Sequence, residues 1–432
     1  MIIPSAMQSS TVGILGLGRS GLASAAALVG AGAAVHAHDD HARPDLPAGV
    51  SATAWQDWHW DKLDALVISP GIPHRWPTPH PAAARAEAEG VEIISDIELM
   101  MRADIKARVI GITGTNGKST TALLLGHILN ASGITAHVGG NIGTAVLAMD
   151  DPGPDGVLVL ELSSYQLETT PGLRLDAGAV TNITPDHLDR HDGWDGYVAA
   201  KAMLARAVKA EGLLVLGRDN MLDVMAAAST ATAERIGPDD APLIISSPWL
   251  AGPHNIENTA VAFKLANAMG GDKDVMAASL ASFTGLPHRM EPVASTDGIH
   301  FINDSKATNA AAARQALRSF PAIYWIAGGE AKDGGLGTLV DDLGNVNCAY
   351  LIGEAAESFR ADIDDRVPTR ICGTLDTAMQ SALEDARRDQ PAEATILLSP
   401  AAASFDQFDN FEDRGTAFRS MAVNLTTGGG IV

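Results

Sequence analysis

Residues 111–125, GITGTNGKSTTALLL, place an apolar strand, a glycine-bearing loop and an apolar helix in direct succession. A strand that feeds a helix through a tight turn is a βα unit, and a series of such units closes into a parallel sheet covered by helices. The loop's backbone N–H groups then lie at a helix N-terminus, where an anion is favoured. The strict phosphate-loop pattern G-x-x-x-x-G-K-[ST] would put glycine at 112, where Ile112 stands. Gly114 and Gly117 remain to make the turn. Lys118 is placed to reach the β- and γ-phosphates, and the Ser119 hydroxyl to bind Mg²⁺. Gly-Lys-Ser triplets also arise by chance in ordinary βα turns; the strand before this one and the helix after it favour a nucleotide.

The same strand–helix alternation runs along nearly the whole chain and predicts an α/β fold of three Rossmann-like domains. The first, residues 1–96, has strands at 11–15, 33–38, 65–69 and 91–95 and a helix near 20–29. Asp96 is placed to cap a short helix leading into the second domain, residues 97–285. There the strands are 108–113, 156–162, 177–183 and 213–217, and the helices 118–131, 194–209 and 255–269. This central domain is read as a P-loop-type ATP-binding domain with a mostly parallel sheet. The third, residues 286–432, opens on a hairpin turned at Asp297-Gly298 and continues with strands in AIYWIAGG, CAYLIG, TRICG and TILLSP. The TTGGGIV tail reads as loose.

Carboxylates outnumber Lys plus Arg by 52 to 30, a net charge of −22. That argues against a broad nucleic-acid surface, so an anionic ligand needs a local cationic pocket. Cys348 and Cys372 are the only cysteines, which gives no disulfide framework and fits a reducing cytoplasm. No apolar run approaches the length of a spanning helix, and the first residues do not read as a signal peptide. A monomer without membrane attachment is the default expectation.

Three features near the loop could serve its chemistry. Glu161 ends the strand GVLVLEL, on the edge where parallel sheets bind ligands. His187, in TPDHLDRH after the next strand, reads as a metal ligand, a substrate-orienting group or a structural loop histidine. Lys201 interrupts an apolar face formed with Tyr197, Leu204 and Val208. Either its stem packs while the ammonium reaches solvent, or the amine is held inside the cleft. There burial would lower its pKa and allow it to take up CO₂ as a carbamate.

Earlier in the chain, Gly16-Leu17-Gly18-Arg19-Ser20-Gly21 follows a strand and opens a helix, with Asp39 ending the next strand. This satisfies the dinucleotide fingerprint, so an NAD-dependent oxidoreductase is an alternative. The fingerprint asks only for a phosphate-bearing nucleotide, however, and SPGI (69–72) adds a second loop wall. In the last domain, Asp304, Lys306, Thr308 and Asn309 bunch in FINDSKATN. Lys332 follows another strand, and Ser404 and Phe411 lie in SPAAASFDQFDNF.

GTNGKST, GGNIGT, ELSSYQLE, TPDHLDRH, GPHNIENTAVA, GLPHRME, NDSKATN and SPAAASFDQFDNFEDRG occur in the order found in the Mur ligases, which the chain resembles over almost its full length. The first motifs are shared with folylpolyglutamate synthases; the last two are closer to the D-glutamate-adding branch. The resemblance implies ligation of D-glutamate to UDP-N-acetylmuramoyl-L-alanine, in cytoplasmic peptidoglycan synthesis, through an acyl phosphate made from ATP. It implies ATP contacts from Gly114, Thr115, Asn116, Gly117, Lys118, Ser119 and Thr120, with Asn255, Asn258, Arg289, Asp304 and Lys306 on the adenine side. It implies two Mg²⁺ sites using Ser119, Glu161, His187 and a carbamylated Lys201. Lys118, Glu161, His187 and Lys201 would be the catalytic group. The UDP-sugar would meet Gly18, Arg19, Ser20, Asp39, Ser69, Pro70, Gly71, Gly140, Asn141 and Ser163, and D-glutamate would meet Thr308, Lys332, Ser404 and Phe411. Three departures stand out: Asp39-Asp40-His41 where the family has Asp-x-Arg, a short stretch between Gly217 and Pro253, and Phe405 in place of leucine.

Overall fold

The computed structural model describes the chain apart from residues 43, 243–246, 251, 332–334 and 428–432, and of residues 248 and 311 only the backbone. The expected Lys332 contact and the end of the tail therefore lie outside the described residues. The chain divides into two compact units, one comprising residues 1–244 and 257–280, the other residues 245–256 and 281–432.

The first unit contains two sheets. One joins β1 (Thr11–Leu15), β2 (Ala34–His38), β3 (Val50–Ala52), β4 (Ala65–Ile68) and β5 (Glu92–Ile94) in the order β3-β2-β1-β4-β5. All its pairings are parallel. The order reverses between β1 and β4, and a crevice opens at that point of a doubly wound sheet. The other sheet joins β6 (Arg108–Thr113), β7 (Ala136–Gly140), β8 (Val157–Glu161), β9 (Leu175–Val180), β10 (Val208–Leu216) and β11 (Thr232–Arg235) in the order β11-β10-β9-β6-β8-β7. It too is parallel throughout. β8 is buried along its whole length, as expected of a central parallel strand covered on both faces.

The second unit carries β12 (Glu291–Thr296), β13 (Ile299–Asn303), β14 (Ile323–Gly328), β15 (Val346–Ile352), β16 (Thr369–Gly373) and β17 (Ala394–Leu398) in the order β12-β13-β17-β14-β15-β16. Only the β12–β13 hairpin is antiparallel, and Asp297 and Gly298 turn it with φ of +49° and +78°. Apolar clusters cover both faces, one around Trp325 and Phe359, the other around Phe301 and Phe418.

The helix at Lys118–Ala131 has the bounds read from sequence, and that at Trp194–Ala207 stops two residues short of its expected end. Val208, assigned to the helical stripe, is instead the first residue of β10. β3, β7 and β11 were not legible in the sequence; each is an edge strand. The cap expected of Asp96 belongs to Ser95, whose Oγ accepts the Glu98 N–H at 3.2 Å. Asp96 is the first residue of the helix Asp96–Met101, and its carboxyl is left for other contacts.

Candidate active site

The loop after β6 is held open by glycines. Gly114 has φ +146°, and a Cβ there would lie 2.0 Å from Thr181 Oγ1; Gly117 has φ +83°, and its Cβ would lie 2.2 Å from Asn258 Oδ1. Ile112 sits inside β6, wholly buried, so the turn begins only after it. The loop is pinned from below: Asn116 N donates to Asn182 Oδ1 at 2.9 Å, and Thr181 Oγ1 donates to Asn116 O at 2.6 Å. Thr115 Oγ1 shares a hydrogen bond of 2.9 Å with the Tyr197 hydroxyl. Ser119 is buried in the first turn of the helix, and Thr120 follows it half-buried.

Both lysines converge on one carbonyl. Lys118 Nζ donates to Gly114 O at 3.0 Å and to Thr115 O at 2.8 Å; Lys201 Nζ donates to the same Gly114 O at 2.7 Å. Lys201 is 2% exposed, which rules out an ammonium that reaches solvent. Burial, and secondarily the neighbouring Lys118 ammonium, push its pKa well below that of an ordinary lysine. Its Nζ lies 4.7 Å from the centre of the Tyr197 ring.

Glu161, at the end of β8, is 1% exposed. Asn141 Nδ2 donates to its Oε1 at 2.9 Å, while Oε2 is buried without a hydrogen-bond partner. A buried carboxylate oxygen left this way is costly unless a cation meets it. Gly140 is the only residue type that fits beside it, with φ +103° and a Cβ position 2.3 Å from Glu161 O. His187 has a left-handed backbone (φ +50°); its half-exposed ring lies 3.5 Å from Asp186 Oδ2 and packs on Tyr165 at 5.5 Å. The loop carrying it is anchored by His191, whose Nε2 lies 2.8 Å from Ser164 Oγ and whose Nδ1 lies 3.2 Å from Glu168 Oε1. Among the described residues no three His, Cys, Asp or Glu side chains form a metal cluster.

A pocket of about 230 Å³ collects five of the residues expected at the UDP-sugar: Arg19, Ser20, Pro70, Gly140 and Asn141. Asp96, Gly143, Ala145 and Gln166 complete its wall, and sequence reasoning placed none of these four at the pocket. Gln166 was within reach, since it stands three residues after the Ser163 cap in ELSSYQLE and its side chain returns to that cap. Gly18 caps the helix Arg19–Ala31, Ser69 Oγ donates to Gly16 O at 3.2 Å, and Gly71 O accepts from Arg190 Nη1 at 3.3 Å. Asp39 lines a separate cleft of about 590 Å³ with Leu17, His38 and Pro44. Its carboxylate accepts from the Leu17, His41 and Ala42 N–H groups at 2.6, 2.9 and 2.7 Å. Next to it Asp40 bridges His38 Nε2 at 3.1 Å and His80 Nε2 at 2.9 Å, the local meaning of the Asp-Asp-His departure.

Asn258 belongs to the first unit, where its Oδ1 accepts from Thr121 Oγ1 at 3.3 Å. Asn255, Arg289, Asp304 and Lys306 belong to the second. There Asp304 and Lys306 follow β13, Thr308 N donates to Lys306 O at 2.8 Å, and Lys306 Nζ sits 3.9 Å over the Phe411 ring. Ser404 is buried in the loop after β17, and Phe405 is 70% exposed beside it. These loops converge on Arg414, 1% exposed, whose guanidinium donates to the carbonyls of Ser305, Ala402 and Ala403 at 3.0–3.1 Å and to Ser305 Oγ at 3.0 Å.

Burial pushes the Asp304 carboxyl up to about 7, against hydrogen bonds from Ser399 Oγ at 2.9 Å and Met290 N at 3.2 Å. The folded state thus holds this proton more tightly than the unfolded chain. The contribution is fully present at acid pH and is lost as pH rises through about 7. In urea titrations without nucleotide, the wild type should lose stability relative to Asp304→Asn between roughly pH 4 and pH 8. The loss should be on the order of 4 kcal/mol.

The Mur ligase middle-domain model matches residues 112–240, and the Mur ligase glutamate ligase domain model matches residues 288–402. The chain is 43% identical to the UDP-N-acetylmuramoylalanine–D-glutamate ligase of Rhodospirillum rubrum, over 96% of this chain and 94% of that protein. It is 41% identical to the ligase of the same name from Caulobacter vibrioides, over 100% and 99%. Among solved structures it resembles a UDP-N-acetylmuramate-alanine ligase from Thermotoga maritima (TM-score 0.59, 15% identity, 97% of this chain and 99% of that one). It also resembles MurF from Acinetobacter baumannii (TM-score 0.58, 17% identity, 98% and 93%). At such identities these two structures speak for the fold alone. With the phosphate loop, the buried lysine and the strand-end carboxylate in place, the chain belongs to the Mur ligase family, beside the relatives named as D-glutamate ligases.

Proposed function

We propose that the protein joins D-glutamate to the alanyl carboxylate of UDP-N-acetylmuramoyl-L-alanine, with ATP converted to ADP and phosphate. The observation that carries this reading is identity above 40% with D-glutamate ligases over nearly the whole chain. We assign the UDP-sugar to residues 1–96, ATP chiefly to 97–285 and D-glutamate to 286–432. In the last, Thr308, Lys332, Ser404 and Phe411 are the proposed contacts, and Asn255, Asn258, Arg289, Asp304 and Lys306 are proposed for the adenosine end. No helix among the described residues is long and apolar enough to cross a membrane. We place the reaction in the cytoplasm and take the acting form as a monomer.

A carboxylate is a poor electrophile. Transfer of the γ-phosphoryl group to it gives an acyl phosphate; the glutamate amine then attacks the acyl carbon, an amide forms and phosphate leaves. The loop N–H groups and Lys118 hold the phosphates and offset the charge that builds on the transferred group. Ser119 and Glu161 fit Mg²⁺: the partnerless Glu161 Oε2 is the position a cation would satisfy. Bound there, Mg²⁺ would supply charge neutralisation on the phosphate oxygens. Lys201, with its depressed pKa, is disposed to be a neutral amine and so to capture CO₂; the resulting carbamate would offer two oxygens to a second cation. His187 is proposed as a further ligand or an orienting group for the carboxylate.

Phosphate release measures the reaction directly. It should require UDP-N-acetylmuramoyl-L-alanine and D-glutamate together, with L-glutamate, lysine and diaminopimelate inactive. Release that does not depend on the UDP-sugar would sink the reading.

A further inference from the structure

The pocket of about 230 Å³ holds a carboxyl group that this mechanism leaves unused. Asp96 is 4% exposed. Its Oδ1 accepts from Ile97 N at 3.1 Å and from Gln166 Nε2 at 3.3 Å. Its Oδ2 is buried and has no hydrogen-bond partner. Local structure does not require the group, because Ser95 already caps the helix. Nor does an ion pair, since none of the described cations bonds to Asp96. Arg19, which lines the same pocket, directs its guanidinium to Gly143 O at 3.4 Å. A buried carboxyl with an idle oxygen costs stability. A group that keeps this arrangement beside a pocket has a partner to gain there.

The chemistry of that partner follows from the surroundings. Burial without a cation raises the Asp96 pKa and so favours the uncharged acid, and in that form the unpartnered Oδ2 can serve as a hydroxyl donor. The acceptor is then an oxygen of the ligand. Arg19, Ser20 and Pro70 belong to the two glycine-bearing loops suited to a diphosphate. Asp96 shares its wall with Gln166 and Asn141, and Asn141 reaches on to Glu161 at the phosphoryl-transfer end. Between a diphosphate and a reacting carboxylate, the substrate presents two amide carbonyls as uncharged acceptors, and that of the acetamido group, on the sugar carbon next to the one bearing the diphosphate, lies nearer the loops that share this pocket with Asp96.

We propose that Asp96 is a specificity-determining residue whose Oδ2 hydroxyl donates to the acetamido carbonyl oxygen of the UDP-sugar. This rests on the ligase reading of the pocket. It adds a reason why that sugar is chosen over one without the acyl group.

Calorimetric titration tests it with UDP-N-acetylmuramoyl-L-alanine and with the 2-deoxy analogue that lacks the acetamido group. Asp96→Ala should weaken the acetamido substrate about tenfold, the loss of one buried hydrogen bond. Asp96→Leu, which keeps the volume filled, should do the same and stands in if the alanine variant folds poorly. Asp96→Asn, which keeps a donor at the position, should stay within about threefold of wild type. The 2-deoxy analogue should bind wild type and variants alike. Unchanged affinity in Asp96→Ala or Asp96→Leu, a loss in Asp96→Asn equal to theirs, or an equal loss for both ligands would each overturn the proposal. A wild-type protein that binds neither ligand overturns the ligase reading together with this one; a wild type that binds, with variants unaffected, overturns this one alone.

Discussion

Lys201→Ala is expected to lower kcat by about 10³-fold, the scale on which removal of a preorganised charge-stabilising group acts in a closed site. Two observations set the size of the effect. Lys201 is buried against Gly114, within the loop that would hold the phosphates, and its amine shares that carbonyl with Lys118. A lone ammonium in that place would be a poor design, since it crowds a second cation and pays for desolvation. As the proposed carbamate it would instead be an anion beside the loop. Lys201→Arg, which keeps a positive charge but cannot form a carbamate, should therefore be as inactive as Lys201→Ala. Wild-type activity should fall in CO₂-depleted buffer and return with bicarbonate. An active Lys201→Arg enzyme would show that charge alone suffices.

The second large effect concerns stability. Arg414→Met should destabilise the second unit by on the order of 4 kcal/mol, read as a lower urea midpoint at unchanged slope. The guanidinium satisfies carbonyls of Ser305, Ala402 and Ala403 together with the Ser305 hydroxyl. Its burial depresses its pKa to about 10, with Asp406 opposing, yet it is still charged at neutral pH. An apolar side chain of similar length would leave those acceptors buried and unmet. Arg414→Lys should recover little, because a point charge cannot span a set of carbonyls that a planar fork reaches. Asp304, Thr308 and Ser404 hang from the same loops, so the KM for D-glutamate should rise in any Arg414 variant that folds.

Much of this was written in the sequence, and the exceptions have physical causes. Central parallel strands such as β6, β8 and β14 are apolar along their length because both faces are covered, and each was read within a residue or so. The missed strands β3, β7 and β11 are edges. With one side open they need fewer apolar residues; β3 is largely exposed and β11 mostly so. The cap at 95–96 was misassigned although Ser95-Asp96-Ile97-Glu98 carries a Ser-x-x-Glu signature, which favours the serine. With Ser95 as the cap, the Asp96 side chain is left for the pocket wall. The phosphate loop, Glu161 and Lys201 were found because chemistry fixes residue type and spacing there. Gln166 was missed although its Ser-x-x-Gln pattern with Ser163 was there to read; Arg414 was missed because its partners, three carbonyls and the Ser305 hydroxyl, come from loops that meet only in the fold. For Lys201, sequence left two readings open, and only its burial chose between them.

The central claim is that the γ-phosphoryl group passes to the alanyl carboxylate before the amide forms. It is tested most directly with UDP-N-acetylmuramoyl-L-alanine labelled with ¹⁸O in that carboxylate. After turnover with ATP and D-glutamate, mass spectrometry of the released phosphate should show one ¹⁸O atom carried over from the carboxylate. Phosphate free of label, formed at the same rate as the amide product, would contradict the account.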